Sequence, residues 1–212
     1  MRSTVSVISS TNDGSLLTSY EARLGLNLSS STDETLDDLI EMLVRWSSDE
    51  ISVICNRVFT KEKVKEVVRE IDSTVCRRIY LSHYPIVDIE SVDCGGTTLD
   101  EDVDYEIDVD AGTLNIINGY WSDPVTIIYT GGYELPNEAP PALQQAAMLM
   151  MREAYYASTR GDATVRMLSH KDSRIIYFDP TSAMKAGGGG GAGSPARRAV
   201  TAILEGFTTY WV

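Results

Sequence analysis

The chain has 212 residues, 43% apolar and 23% charged, values that suit a folded domain with a substantial core and exclude wholesale disorder. Its 18 basic against 31 acidic residues leave a formal net charge of −13. That balance argues against a dedicated nucleic-acid binder, because gripping a phosphate backbone takes Lys and Arg to displace its counterions.

No run approaches the roughly 18 uncharged apolar residues that would read as a membrane span. The opening MRSTVSVISSTNDG lacks an apolar stretch long enough for a secretory signal. The expectation is a soluble chain made in cytoplasm, with no membrane partner. Cys55, Cys76 and Cys94 are odd in number and widely spaced, which fits neither a disulfide framework nor a zinc-ligand pattern; they are expected to be reduced, structural thiols.

Residues 16–28 (LLTSYEARLGLNL) predict a short helix, broken by Ser29, Ser30 and Ser31. A second helix follows. Ser31 with Glu34 forms a capping-box pattern, and Asp33, Glu34, Asp37 and Asp38 place negative charge at the positive end of its dipole. Leu36, Leu39, Ile40, Leu43 and Val44, then Ile51 and Ile54, define one apolar stripe running to about Asn56. Past Phe59 the period changes. KVKEVVREI, RRIYLS, IVDIESVDC, DVDYEIDVD, TLNII and VTIIYTGGY read as strands, separated by turn signals at Tyr84-Pro85, Gly95-Gly96, Ala111-Gly112 and Asn118-Gly119.

A third helix opens at Pro140-Pro141 and carries the apolar face Leu143, Ala146, Ala147, Met150, Met151, Ala154 and Tyr155. VRMLSHKDSRIIYFDP then reads as a strand pair or an irregular strand. Gly187–Gly191 with Gly193 form a flexible tether, followed by SPARRAVTAILEGFTTYWV, whose aromatic end suggests a segment that docks elsewhere or folds back on its own domain. The pattern predicts an α+β fold: a helical body of two or three long helices, a small antiparallel β-sheet and an extended C-terminal tail. In domain terms this is an N-terminal segment with a short helix (1–30), a main domain (31–186), a glycine-rich tether (187–193) and a C-terminal docking segment (194–212).

Chemistry-bearing patterns are sparse. The acidic run from Asp100 to Asp110 lacks the glycine and glutamate that a calcium-binding EF-hand loop needs at its sixth and twelfth places. Alternation explains it better, with Asp102, Asp104, Glu106, Asp108 and Asp110 on one side of a strand and Val103, Tyr105, Ile107 and Val109 on the other. His83 and His170 are the two histidines, and no G-x-S-x-G elbow occurs. His83, beside Tyr84-Pro85, reads as a loop residue. The glycine run has no Lys-Ser or Lys-Thr after it, so it is no phosphate loop. No catalytic residue, cofactor or metal site is assigned, and the expectation is a non-enzymatic protein.

Four phrases, in order, resemble the head-tail connector (adaptor, or head-completion) proteins of tailed phages. They are Leu81–Val92 (LSHYPIVDIESV), Asp104–Asp108 with Gly112-Thr113-Leu114, Val125–Tyr133 (VTIIYTGGY), and Pro140–Ala146 (PPALQQA). The resemblance covers about residues 31–160 and makes 31–186 the adaptor domain. It implies a structural subunit of a ring of about twelve copies in the virion neck, assembled in host cytoplasm. Such a ring joins the portal to a stopper or tail-completion protein, lets DNA pass, and requires no catalysis.

On that reading Phe207, Tyr210, Trp211 and Val212 are expected to dock on the portal or another partner. The acidic face, Asp102, Asp104, Glu106, Asp108 and Asp110, is expected to line the DNA channel. Two alternatives remain at this level: a soluble ligand- or carbohydrate-binding β module presenting Tyr120 and Trp121 in an exposed groove, and a small hydrolase with converging carboxylates.

Overall fold

The computed structural model describes residues 2–10, 13–28, 34–159, 167–170, 173–176 and 195–209. In chain order these form β1 (Arg2–Ser10), α1 (Ser19–Gly25), α2 (Glu34–Cys55), β2 (Glu62–Arg69), β3 (Arg78–Tyr80), β4 (Ile86–Cys94), β5 (Thr97–Leu99), β6 (Tyr105–Asp108), β7 (Thr113–Ile116) and β8 (Val125–Gly131). There follow α3 (Pro141–Thr159), β9 (Met167–His170), β10 (Ser173–Ile176), α4 (Pro195–Leu204) and a 3₁₀ turn (Glu205–Phe207). The elements fall into two compact units, Met1–Ser15 with Asn56–Ala139 and Leu16–Cys55 with Pro140–Val212.

The first unit is made of sheets because its sequence alternates. On β8 the residues Val125, Ile127 and Tyr129 are buried and those between them are not, and on β2 Val64, Glu66 and Val68 behave likewise. An antiparallel five-stranded sheet of order β1-β2-β8-β4-β5 and an antiparallel three-stranded sheet of order β3-β7-β6 result. One core joins them, with Val64, Val68, Val92, Val125, Ile127 and Tyr129 from the larger sheet and Ile79, Tyr105 and Leu114 from the smaller. Each aliphatic side chain buried there stabilises the unit by about 1.5–3 kcal/mol.

The second unit is built on helices. Thr18 caps α1 through a capping box with Glu21. On α2 the buried residues Ile40, Leu43, Val44, Ile51 and Cys55 share a face with Ser47 and Ser48, whose hydroxyls donate to the Val44 carbonyl. Ser48 Oγ also accepts from the Leu16 amide at 3.0 Å, tying the entry to α1 onto α2. Leu143, Ala146, Ala147, Met150 and Met151 form the buried face of α3, and Val200 and Leu204 that of α4. β9 and β10 form the expected strand pair.

The expected helical body with a small sheet is corrected. Among the described residues the protein is sheet-rich, with eight strands in two antiparallel sheets and two more in the β9-β10 pair, and its four helices include two of only 7 and 10 residues. Two causes account for this. β3, β5, β6 and β7 are only three or four residues long, so they carry little periodic signal, and β1 pairs with β2 across some fifty intervening residues. The segment expected as an extended tail is helical over Pro195–Leu204 and packs on α3. The Ser31 capping box and the glycine tether lie outside the described residues.

A buried polar cluster fixes the larger sheet. Glu66 is 0% exposed, and its two oxygens accept four hydrogen bonds. The Tyr129 hydroxyl (2.7 Å) and the Ser82 amide (3.1 Å) donate to Oε2, and the hydroxyls of Ser82 (2.8 Å) and Ser3 donate to Oε1. The Tyr129 hydroxyl in turn accepts from the His83 amide at 3.0 Å. Burial, and then the charge of Glu66, push the Tyr129 pKa up, so the phenol stays a donor. His83, expected in a loop, is itself buried, with Nε2 3.3 Å from Glu62 Oε2. Gly131 lets this segment approach, since a Cβ there would lie 2.3 Å from the His83 carbonyl oxygen. Nearby, the Arg57 guanidinium lies 3.3 Å from the centre of the Tyr84 ring and donates to the Tyr84 carbonyl.

Two outcomes follow from this cluster. Glu66→Ala strands the Tyr129 and Ser82 donors in the core and is expected to cost about 3 kcal/mol or more. Glu66→Gln, which keeps one acceptor oxygen, costs less; equal denaturant midpoints for both variants and the parent chain would contradict the assignment. Burial holds the His83 pKa below its usual 6.5, with Glu62 opposing the shift only in part. Above 6.5 both folded and unfolded chains carry neutral His83 and the residue adds no pH dependence. Below 6.5 the unfolded chain takes up the proton first, so stability falls as pH drops. Thermal unfolding across pH 7 to 5 should show that slope, and it should be smaller in His83→Asn.

Candidate assembly surfaces

The acidic run forms a strand only over its centre. β6 is the outer strand of the three-stranded sheet, and Glu106 and Asp108 share its exposed face. Asp102 sits before it in a turn with φ of 63°, and Asp110 lies in the turn after it. Asp104 is half-buried, its Oδ2 accepting from the Asp100 amide at 2.9 Å. Asp108 Oδ1 accepts from the Ala111 amide at 3.0 Å and so shapes the hairpin.

Val103 and Val109, expected on the buried side, are exposed because the chain turns there. The face is also less uniform than the sequence suggests. Glu106 pairs in register with Asn115, and Asn115 with Arg78, whose Nε donates to Asn115 Oδ1 at 2.7 Å. One row across the sheet therefore runs from acid through amide to base. Charges on β6 also disfavour edge-to-edge strand pairing.

Of the aromatic residues expected to dock, Phe207 closes the 3₁₀ turn and is half-buried, while Tyr210, Trp211 and Val212 lie outside the described residues. The Thr209 amide donates to the Cys55 carbonyl at 2.9 Å, which ties this end of the chain to the last turn of α2. Val200 and Leu204 are buried, so α4 already has a covered apolar face within the chain.

Two surfaces escaped the sequence reading. The outer side of α2 exposes Met42 (57%), Trp46 (39%) and Val53 (77%), positions that fall on one side of a helix at its 3.6-residue period. Their spacing was visible, but it was overshadowed by the buried stripe on the same helix. β1 is the other. It is a nine-residue edge strand, exposed along nearly its whole length, with Val5, Val7 and Ile8 in solvent and no charge after Arg2. Such an edge offers unpaired backbone groups as well as apolar side chains.

The groove expected of a carbohydrate-binding module is not formed by Trp121. That ring is fully buried, with Nε1 donating to the Arg77 carbonyl at 3.0 Å and its face tilted toward Tyr105. Nor does the Glu66 cluster pair a hydroxyl nucleophile with an imidazole, since Ser82 Oγ donates to Glu66 and the described His83 contact is with Glu62. Among the described residues no group of three or more His, Cys, Asp and Glu side chains is arranged to hold a metal ion.

A comparison with curated proteins gave no match. Among solved structures the fold is similar to a chain in the neck of an empty GTA particle computed with C6 symmetry. The TM-score is 0.58 at 16% identity, over 99% of this chain and 97% of that one. It is similar too to a chain in the virion of a native gene transfer agent (GTA) particle, with a TM-score of 0.55 at 17% identity over 98% and 96% of the two chains. A chain in the neck of a native GTA particle computed with C12 symmetry gives 0.55 at 15% identity over 99% and 97%. At such identities the likeness establishes the fold alone. The model of the head completion proteins matches residues 17–166, well over half of the sequence, and the chain therefore belongs to the head completion protein family.

Proposed function

We propose that the chain is a structural component of the neck of a tailed-phage-type particle, where copies form a ring that links the DNA-filled head to the stopper or tail. The observation that carries this reading is the family match over residues 17–166. The fold shared with chains of GTA neck particles computed with C6 and C12 symmetry supports a ring of six-fold or twelve-fold order, with about twelve copies the preferred number. The role is assembly by shape and surface, without catalysis.

In this proposal the portal lies on one side of the ring and the stopper or tail-completion protein on the other. DNA passes through the middle. The exposed carboxylates of Asp102, Glu106, Asp108 and Asp110, with Asp104 beside them, would face that passage. A net charge of −13 suits such a wall: phosphates meet like charge, and no counterion release rewards adhesion. Phe207, Tyr210, Trp211 and Val212 are assigned to docking on the portal, aromatic side chains being the usual anchors of interfaces. Because α4 is packed on α3, the anchor is expected to lie beyond the helix rather than in it.

Particles made without this chain should accumulate filled heads that carry no tails, and restoring the chain should restore joining. A chain lacking Tyr210–Val212 should keep the thermal midpoint of the full chain and yet fail to join heads to tails; normal joining would count against the docking assignment. The triple variant Asp104→Lys, Glu106→Lys and Asp108→Lys should assemble into particles that eject DNA slowly or retain it, measured as DNA released after triggering. Ejection at the parental rate would remove these residues from the channel wall.

A further inference from the structure

On the reading that copies of the chain form a ring, we infer that adjacent copies meet through the outer face of α2 on one and the outer face of α4 on the next. A closed ring of identical subunits requires two different and complementary surfaces on every copy. The helical unit carries such a pair. On α2, Met42, Trp46 and Val53 form an exposed apolar stripe bordered by the exposed Asp49 and the partly exposed Glu50. Stripes of this kind on a soluble chain mark an interaction surface, and Met and Trp are residue types enriched at interfaces.

The outer face of α4 has the opposite character. Arg198, Thr201 and Ala202 are exposed there, while Val200 and Leu204 are buried on the other side. Small side chains at 201 and 202 leave room for a bulky ring such as Trp46, and Arg198 matches the acids that border the α2 stripe. Complementary charge of this kind fixes which surfaces pair and in what register.

α3 packs against both α2 and α4, whereas α2 and α4 meet only marginally. Each exposed face lies on the side of its helix away from that helix's buried residues, so the two surfaces do not face one another within one copy. A single copy cannot satisfy one with the other, but a row of copies can. The occupant of the α2 stripe is therefore a second copy of this chain.

The test is site-specific photocrosslinking from position 202, with p-benzoylphenylalanine introduced into the full chain and irradiation of assembled particles. The expected product is a dimer on denaturing gels, with the crosslinked peptide mapping within Met42–Val53. A companion measurement uses charge exchange. Asp49→Arg and Arg198→Glu should each lower the copies retained per particle by about tenfold, and the double variant should recover most of them.

Particles holding many copies whose crosslinks from 202 map elsewhere, or form no dimer, would overturn this interface and leave the ring intact. So would single variants that incorporate normally. Particles holding one copy each would overturn the ring itself.

Discussion

The sheet unit depends on one buried carboxylate. Glu66 lies inside an otherwise apolar face of β2, and a charged group in that position is tolerated only if its oxygens are fully hydrogen-bonded. Its four donors come from β1, the segment before β4 and β8; β1 and β8 are the two strands that flank β2, and β4 pairs with β8. A one-residue slip of any of them would break that pattern as well as turn the wrong side chains inward. Shape-complementary packing alone would not hold the register of strands so distant in sequence. Gly131 and the His83 backbone complete the arrangement by close approach.

How much of this was legible depended on length and distance along the chain. α2 and α3 span 22 and 19 residues, enough for helical periodicity to stand out, and β2, β4 and β8 are long enough for alternation to do the same. β1 is hard to read because its alternating Ser and Val residues are weakly apolar and its partner lies far along the chain. The run from Asp102 to Asp110 alternates perfectly, yet only Tyr105–Asp108 is a strand, because Asp104 and Asp108 accept hydrogen bonds from nearby backbone amides where the chain bends on either side. His83 does lie in the loop before β4, but its burial, like that of Trp121, escapes the sequence for a related reason. Each is drawn inward by a partner remote in sequence, Glu62 for the imidazole and the Arg77 carbonyl for the indole, and composition gives no hint of either.

The surfaces follow the same logic at larger scale. A residue pattern shows which side of a helix is apolar, but α2 has two apolar sides, and only folding decides which is consumed by the core. Ile40, Leu43, Val44 and Ile51 are consumed; Met42, Trp46 and Val53 are left over. That leftover stripe is the surface proposed above to meet a neighbouring copy. The acids of β6 are left at the surface too, and they are the residues proposed above to face passing DNA.

The central claim is that the chain occupies the neck in several copies, and imaging tests it most directly. Cryo-electron microscopy of particles carrying the chain fused to a small rigid tag, compared with untagged particles, should show extra density arranged as a ring between head and tail. Extra density on the capsid shell, a single off-axis copy, or tagged particles indistinguishable from untagged ones despite stoichiometric incorporation would contradict the account.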